Sequence, residues 1–200
     1  FKDNDFSNSY ISVNSSDSMT IKNNDFSNSS ISVNSSDSMT IKNNIFNNSS
    51  ISVNSSESIT IEENTISKSG SEIISVYDAD KLTVLNNIVE GYMTFETATN
   101  LIIENNLIVG IINFNYSPWS SNDNDSVWVG SGSKIKNNSI TDSYNNNYSS
   151  IYGNTSCISA YNYNGDLKEI SGNKITSAEN RKGIEIQRSS KELTIHNNFI

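Results

Sequence analysis

Ile21-Lys22-Asn23-Asn24-Asp25-Phe26 sets one asparagine between two apolar residues, and the pattern returns as far as Ile195-His196-Asn197-Asn198-Phe199-Ile200. It occurs nine times with Asn always in fourth place: Asn4, Asn24, Asn44, Asn64, Asn87, Asn106, Asn138, Asn173 and Asn198. The preceding residue varies, being Asp3, Glu63 or Gly172 where it is not Asn. An Asn fixed between apolar positions predicts a backbone corner and not a catalytic group.

Around each corner lies a longer repeat. Residues 5–24 and 25–44 are the same twenty-residue unit, differing only at Tyr10 and Ser30, and 45–64 repeat it with drift. The Asn spacings run 20, 20, 20, 23, 19, 32, 35 and 25, so one unit continues to the end with two large insertions. The chain reads as a single segment, 1–200, of a longer repeat protein. Regular coils are expected over 1–110, coils with insertions over 111–172 and a regular coil over 173–200.

Each unit holds three short apolar alternations. The first is Ile31-Ser32-Val33, echoed by Ile11-Ser12-Val13, Ile51-Ser52-Val53, Ile74-Ser75-Val76, Met93-Thr94-Phe95, Val127-Trp128-Val129 and Ile184-Glu185-Ile186. The second is Met39-Thr40-Ile41, echoed by Ile59-Thr60-Ile61 and Leu82-Thr83-Val84. The third is the apolar residue two places after the Asn, such as Phe46 or Val89. Alternation with period two puts the outer pair inward and the central Ser or Thr outward. Polar turns such as Asn34-Ser35-Ser36-Asp37-Ser38 separate them.

Three short strands per twenty residues predict an all-β fold, a right-handed parallel β-helix of about nine coils and roughly 40 Å length, with coils about 4.8 Å apart. The Asn at each corner is expected to take the left-handed conformation itself and to stack its carboxamide in an asparagine ladder. A leucine-rich-repeat solenoid is the alternative, because Met19-x-Ile21-x-x-Asn24-x-Phe26 fits its core. The position three before Met19 should then be apolar, and it is Ser16. The Ile-Ser-Val half also alternates as a strand where that fold needs a helix or 3₁₀ turn.

The combination of Ile-Ser-Val, a polar turn, Met-Thr-Ile and Lys-Asn-Asn-x-Phe resembles the parallel β-helix repeat of the pectate-lyase-like superfamily. More narrowly it resembles the Asn/Ser-rich adhesin-like surface proteins of archaea and bacteria. The resemblance implies an extracellular or cell-surface location. It implies no single activity, since this fold carries lyases, hydrolases and non-enzymatic adhesins alike.

Composition narrows the choice. Asn and Ser supply more than a third of the chain, and only 34% is apolar, but the apolar residues recur in register, which disorder does not explain. A net charge of −9 argues against nucleic acid, and no apolar run is long enough to insert directly in a membrane. Cys157 is alone, which excludes an intrachain disulfide, and is expected to be a small buried hydrophobe.

An enzyme of this fold needs carboxylates clustered on the outward positions of the first strand, with a base nearby. Those positions read Ser12, Ser32, Ser52, Ser75, Thr94, Trp128, Ser159 and Glu185, with one ionisable residue. His196 is expected to be a solvated surface residue without an acidic partner, and Glu185 to join Arg181 and Arg188 in surface ion pairs. No catalytic residue is therefore assigned. Asp78, Asp80, Asp123 and Asp125 lie in acidic turns that offer oxygens to calcium, and no other cofactor is expected. Aromatics crowd the insertions: Tyr116, Trp119, Trp128, Tyr161 and Tyr163 form either a platform for sugar rings or a partner, or the insertions' own small core. The expected function is a non-enzymatic surface or secreted protein, stalk or adhesin-like, meeting glycan or another surface protein through the 111–163 insertions. The alternative is a secreted polysaccharide lyase or hydrolase.

Overall fold

The computed structural model describes residues 1–115, 132–141, 156–161, 167–177, 182–187 and 193–200. The unit 25–44 shows how its sequence becomes a coil. Phe26, Ile31, Val33, Met39 and Ile41 all point inward and none is more than 1% exposed. Phe26, Ile31, Val33 and Ile41 fall on three strands, Asp25–Ser27, Ser30–Asn34 and Thr40–Lys42, and Met39 immediately precedes the last of them.

Each strand pairs in parallel with its copy one coil along. Phe26 stands opposite Phe46, Ile31 opposite Ile51 and Ile41 opposite Ile61. The result is a parallel β-helix with three files of strands around one apolar core, and no helix occurs among the described residues. We call these the first file (the Ile-Ser-Val strands), the second file (the Thr-Ile strands) and the third file (the strands that follow the corner Asn). Phe6, Phe26 and Phe46 stack inside the third file with ring centroids 4.9 and 4.6 Å apart.

Each file is eight strands deep among the described residues. The nine corner asparagines suggested about nine coils. They act as fence posts, however: Asn4 opens the first complete coil and Asn198 closes the eighth. A second correction concerns the sixth coil. The place in the first file that the sequence reading gave to Val127-Trp128-Val129 is taken by Ile112–Asn115, which pairs with Met93–Glu96 on one side and Ile158–Ala160 on the other. Phe114 lies against Phe95 at 5.3 Å between ring centroids, a contact that rewards the nearer apolar alternation. The first-file strand of this coil, Ile112–Asn115, therefore precedes the extra residues in sequence instead of following them.

The corners divide their work between two residues. Left-handed φ falls on the variable one, at 56° for Asn23, 53° for Asn43, 55° for Glu63, 57° for Asn105 and 65° for Gly172. It does not fall on the invariant Asn, as the sequence had suggested. With the turn made one residue earlier, the invariant side chain points into the rod, where Asn44, Asn64, Asn87, Asn138 and Asn173 are each 1% exposed. Asn64 Oδ1 accepts from the Asn44 backbone N–H at 2.9 Å and from Asn44 Nδ2 at 3.0 Å. Asn64 Nδ2 donates to the Ile41 carbonyl at 2.9 Å and to Asn87 Oδ1 at 3.1 Å. A carboxamide alone among side chains of this size offers both functions; Asp lacks the donors.

The other two corners carry serine ladders of the same kind. Ser49 Oγ accepts from the Ser29 N–H at 2.9 Å and donates to the Phe26 carbonyl at 3.1 Å. Ser56 Oγ accepts from the Ser36 N–H at 3.2 Å. Serine is so frequent in this sequence that neither column stood out from it. In the fourth coil Ala79 stands opposite Ser56 and this column ends; hydroxyls from neighbouring positions, Thr97 and Ser133, then accept from the backbone N–H of Asp78 and Leu101.

This division of labour is testable. Asn64→Ala strands the buried Asn44 N–H and the Ile41 carbonyl, and should cost about 3 kcal/mol or more. Glu63→Gly, which relieves a left-handed non-glycine residue, should leave stability unchanged or raise it by about 1 kcal/mol. Thermal unfolding of the two variants by circular dichroism checks both. Equal losses would refute the assignment.

Candidate functional site

Copied coils give copied surfaces, so a site is to be sought where the columns change. In the first three coils the outward residues of the first file are Ser12, Ser32 and Ser52 in one column and Asn14, Asn34 and Asn54 in the next. The second column is an external amide ladder, Asn34 Nδ2 donating to Asn14 Oδ1 at 3.0 Å and Asn54 Nδ2 to Asn34 Oδ1 at 2.9 Å. It ends at the fourth coil, where Tyr77 stands in register with Asn54 and is followed by Glu96. The serine column likewise passes from Ser75 to Thr94 and Asn113.

The backbone changes at the same place. The strand Thr65–Asp80 carries a bulge between Glu72 and Ile74, which lets Glu72 sit opposite Tyr92. Thr94 is only 4% exposed although it points away from the core, and its Oγ1 has no hydrogen-bond partner among the described residues. Glu96 is half-buried beside it. Burial, and then the charge of Glu72, push the Glu96 carboxyl above the ordinary carboxylate range.

A second feature follows the corner between the first and second files. Asp17, Asp37, Glu57, Asp80 and Thr99 stack in register there, one per coil. Between them lies an open groove of about 340 Å³ lined by Asp37, Glu57, Asp78, Asp80, Thr97 and Thr99 with the Ser55 and Ser56 hydroxyls. Lys81 bridges the column, pairing with Glu57 and lying 3.7 Å from Asp80. Burial would raise the Asp80 carboxyl. The Thr99 hydroxyl at 2.6 Å, the Asn100 amide at 2.7 Å and Lys81 outweigh burial and hold it below its usual range.

The groove contains two of the expected calcium residues. Asp78 lies at φ 52°, accepts from the Ser55 hydroxyl at 3.3 Å and has its N–H held by Thr97, while Asp80 is engaged as above. Among the described residues no group of three or more His, Cys, Asp or Glu is arranged to hold a metal ion. Asp123 and Asp125, and the aromatics Tyr116, Trp119, Trp128 and Tyr163, lie outside the described residues. So do Arg181 and Arg188. Tyr161 ends the strand Ser156–Tyr161, in register with Gln187, but its side chain is also outside what is described. The roots of the first insertion are visible. Asn115 stands next to Glu96, and Gly132 packs so closely on Asn100 that a Cβ there would lie 2.0 Å from Asn100 Oδ1. Asn115 and Gly132 thus lie one coil beyond Glu96 and Asn100.

The outward face of the second file corrects one further expectation. His196 has an acidic neighbour, its Nε2 lying 3.4 Å from Glu169 Oε1. The Ser171 hydroxyl donates to the same oxygen at 2.6 Å. This hydrogen bond, against burial and aided by Lys136, Lys134 and His196, lowers the Glu169 carboxyl below its usual range. The spacing of 27 residues between Glu169 and His196 concealed the pair, because only the coil register brings them together. No hydrogen bond joins Ser171 to His196, so the trio lacks the nucleophile–base contact of a hydrolase. Glu185 pairs with Lys182. Cys157 is fully buried.

No protein-family model matches the sequence, and no curated protein matches it. Among solved structures the chain is similar to DFA-IIIase from Arthrobacter chlorophenolicus A6 without its lid, in complex with GF2. The identity is 13%, with 96% of this chain and 49% of that one covered and a TM-score of 0.52. It is also similar to the Streptococcus pneumoniae surface protein and adhesin PfbA, at 12% identity, 90% and 74% coverage and a TM-score of 0.48. The chain spans about half the length of the DFA-IIIase. At 13% identity the likeness to the DFA-IIIase concerns the fold alone.

The Glu96 environment gives a signed expectation. A carboxyl raised in the folded state penalises folding as the pH rises above its ordinary value of 4.5. Glu96→Gln should therefore melt higher than the parent near neutral pH, and the two should converge as the pH falls to that range. A gap that is constant with pH would contradict this environment. At the corner groove, a calcium chelator should leave thermal unfolding unchanged, since hydrogen bonds within the chain already hold Asp78 and Asp80.

Proposed function

We propose that this chain is part of a non-enzymatic surface or secreted repeat protein, a β-helical stalk or adhesin-like rod outside the cell, that meets glycan or another surface protein near its 111–163 insertions. The observation that carries this reading is the register of identical coils. Residues 5–24 stack on 25–44 so that Asp5 meets Asp25, Ser12 meets Ser32 and Thr20 meets Thr40. Duplicating a coil lengthens the rod and repeats one polar surface, whereas a catalytic centre needs one unique constellation. The surface departs from repetition at Tyr77, Thr94 and Glu96 and at the roots of the first insertion. A partner of this protein would be read in that region.

The second reading is a secreted carbohydrate-active enzyme. Glu72 and Glu96 favour it, being carboxyls on the outward face of the first file, with Glu96 raised above its ordinary range by burial and then by the charge of Glu72. Two assays separate the readings. Incubation with neutral and uronate polysaccharides should give no bond cleavage, and glycan-array binding should fall when Trp119→Ala and Trp128→Ala are combined. Reproducible cleavage abolished by Glu96→Gln, or by changing Asp78, Asp123 or Asp125, would replace the first reading with the second.

A further inference from the structure

We propose that the outward face of the first file around Thr94 binds one neutral sugar ring, with Tyr77 as its stacking platform and Thr94, Glu72 and Glu96 as its polar contacts. The proposal deepens the glycan arm of the reading above and rests on it. Three independent features converge on this place. The first is the end of the external amide ladder: Tyr77, 43% exposed, replaces the asparagine of the three preceding coils and offers a ring where they offer an amide. Aromatic faces pack against the C–H faces of sugars, and the phenol leaves a hydroxyl at the rim.

The second feature is the orphaned Thr94 hydroxyl. Buried polar atoms are nearly always hydrogen-bonded, and leaving one unmade costs about 1–3 kcal/mol. Yet this polar residue sits on the outward face at a point where the repeat elsewhere uses Ser. A ligand hydroxyl would satisfy it. The third is the pair of carboxyls. Glu96 lies two residues from Thr94 on the same side of its strand, and Glu72 reaches the same face from the neighbouring coil through the bulge. Among the described residues no hydrogen bond or ion pair occupies either group. A carboxylate accepts from a vicinal diol, which suits an uncharged polyhydroxylated ring.

The same chemistry selects against other ligands. Two carboxyls repel uronates and sulfated sugars, and among the described residues no third His, Cys, Asp or Glu joins Glu72 and Glu96 to hold a metal ion. Tyr77, Thr94, Glu72 and Glu96 are also unlike the surrounding Ser and Asn columns, so this face is not a repeated feature of the rod. Its position next to the root of the 116–131 insertion makes it continuous with the region already argued to meet partners.

The test uses the whole chain and saturation-transfer NMR with neutral gluco-, galacto- and fructo-configured trisaccharides, with trigalacturonate for comparison. At least one neutral trisaccharide should bind and trigalacturonate should not. Thr94→Val and Tyr77→Ala should each weaken that binding about tenfold or more, a loss of roughly 1.4 kcal/mol. Asp37→Asn, in the corner groove, should leave it unchanged. Without sugar, Thr94→Val should melt at or above the parent temperature, because it removes an unpartnered hydroxyl; a merely structural hydroxyl would give a lower one. Neutral-sugar binding that survives both variants but is lost with Trp119→Ala and Trp128→Ala overturns this site and leaves the broader reading standing. Binding of none of the trisaccharides also overturns it, and the glycan array then decides the broader reading.

Discussion

A buried carboxamide that donates and accepts at once is the constraint on which this structure rests. Each coil must turn its backbone through a corner that packs against the corners above and below, away from water. The N–H and C=O groups there cannot be left unpaired without cost. Asn24, Asn44, Asn64, Asn87, Asn106, Asn138 and Asn173 meet that demand by linking each coil's corner to the next. Serine and threonine hydroxyls do the same at the other corners, with one donor where the carboxamide has two. The serine column gives way to Ala79 in the fourth coil, whereas the Asn column shows no substitution along this chain.

That arrangement separates shape from surface. Inward positions are held by apolar side chains and the ladder residues, because the core is continuous from coil to coil. Outward positions carry little structural duty and can repeat or diverge. Divergence is concentrated from the fourth coil onward: the bulge at Glu72–Ile74, the change from Asn54 to Tyr77 and Glu96, and the insertion rooted between Asn115 and Gly132 lie in successive coils. Gly91 and Gly110 belong to the same change, replacing the Asn-Ser corner. A Cβ on Gly110 would lie 1.9 Å from the Gly91 carbonyl oxygen. The backbone was reshaped where the surface became unique.

The acidic corner column illustrates how a rod accumulates charge without thereby making a site. Asp17, Asp37, Glu57 and Asp80 follow one another because successive coils place the same turn position in register. Lys81 and the Thr99 and Asn100 side chains neutralise or engage its C-terminal end. The face around Thr94 differs in kind, since the Thr94 hydroxyl there is buried and has no hydrogen-bond partner among the described residues.

The sequence alone determined the coil. A period near twenty, alternation around Ile31-Ser32-Val33 and Met39-Thr40-Ile41, and an Asn always between apolar neighbours leave one economical packing, because each is a local property repeated along the chain. It also located the break in regularity after Asn106. It did not distinguish the corner's left-handed residue from its ladder residue, since both are commonly Asn and only the fold shows which side chain points inward. Nor did it tell Ile112-Asn113-Phe114 from Val127-Trp128-Val129 as the sixth first-file strand, two similar alternations between which stacking on Phe95 decides. The Glu169–His196 contact, the stacked acidic column and the grouping of Glu72, Tyr77, Thr94 and Glu96 join residues about twenty or more apart or across a bulge. Those adjacencies exist only once the coils are stacked, because register between strands, not order along the chain, sets which side chains meet.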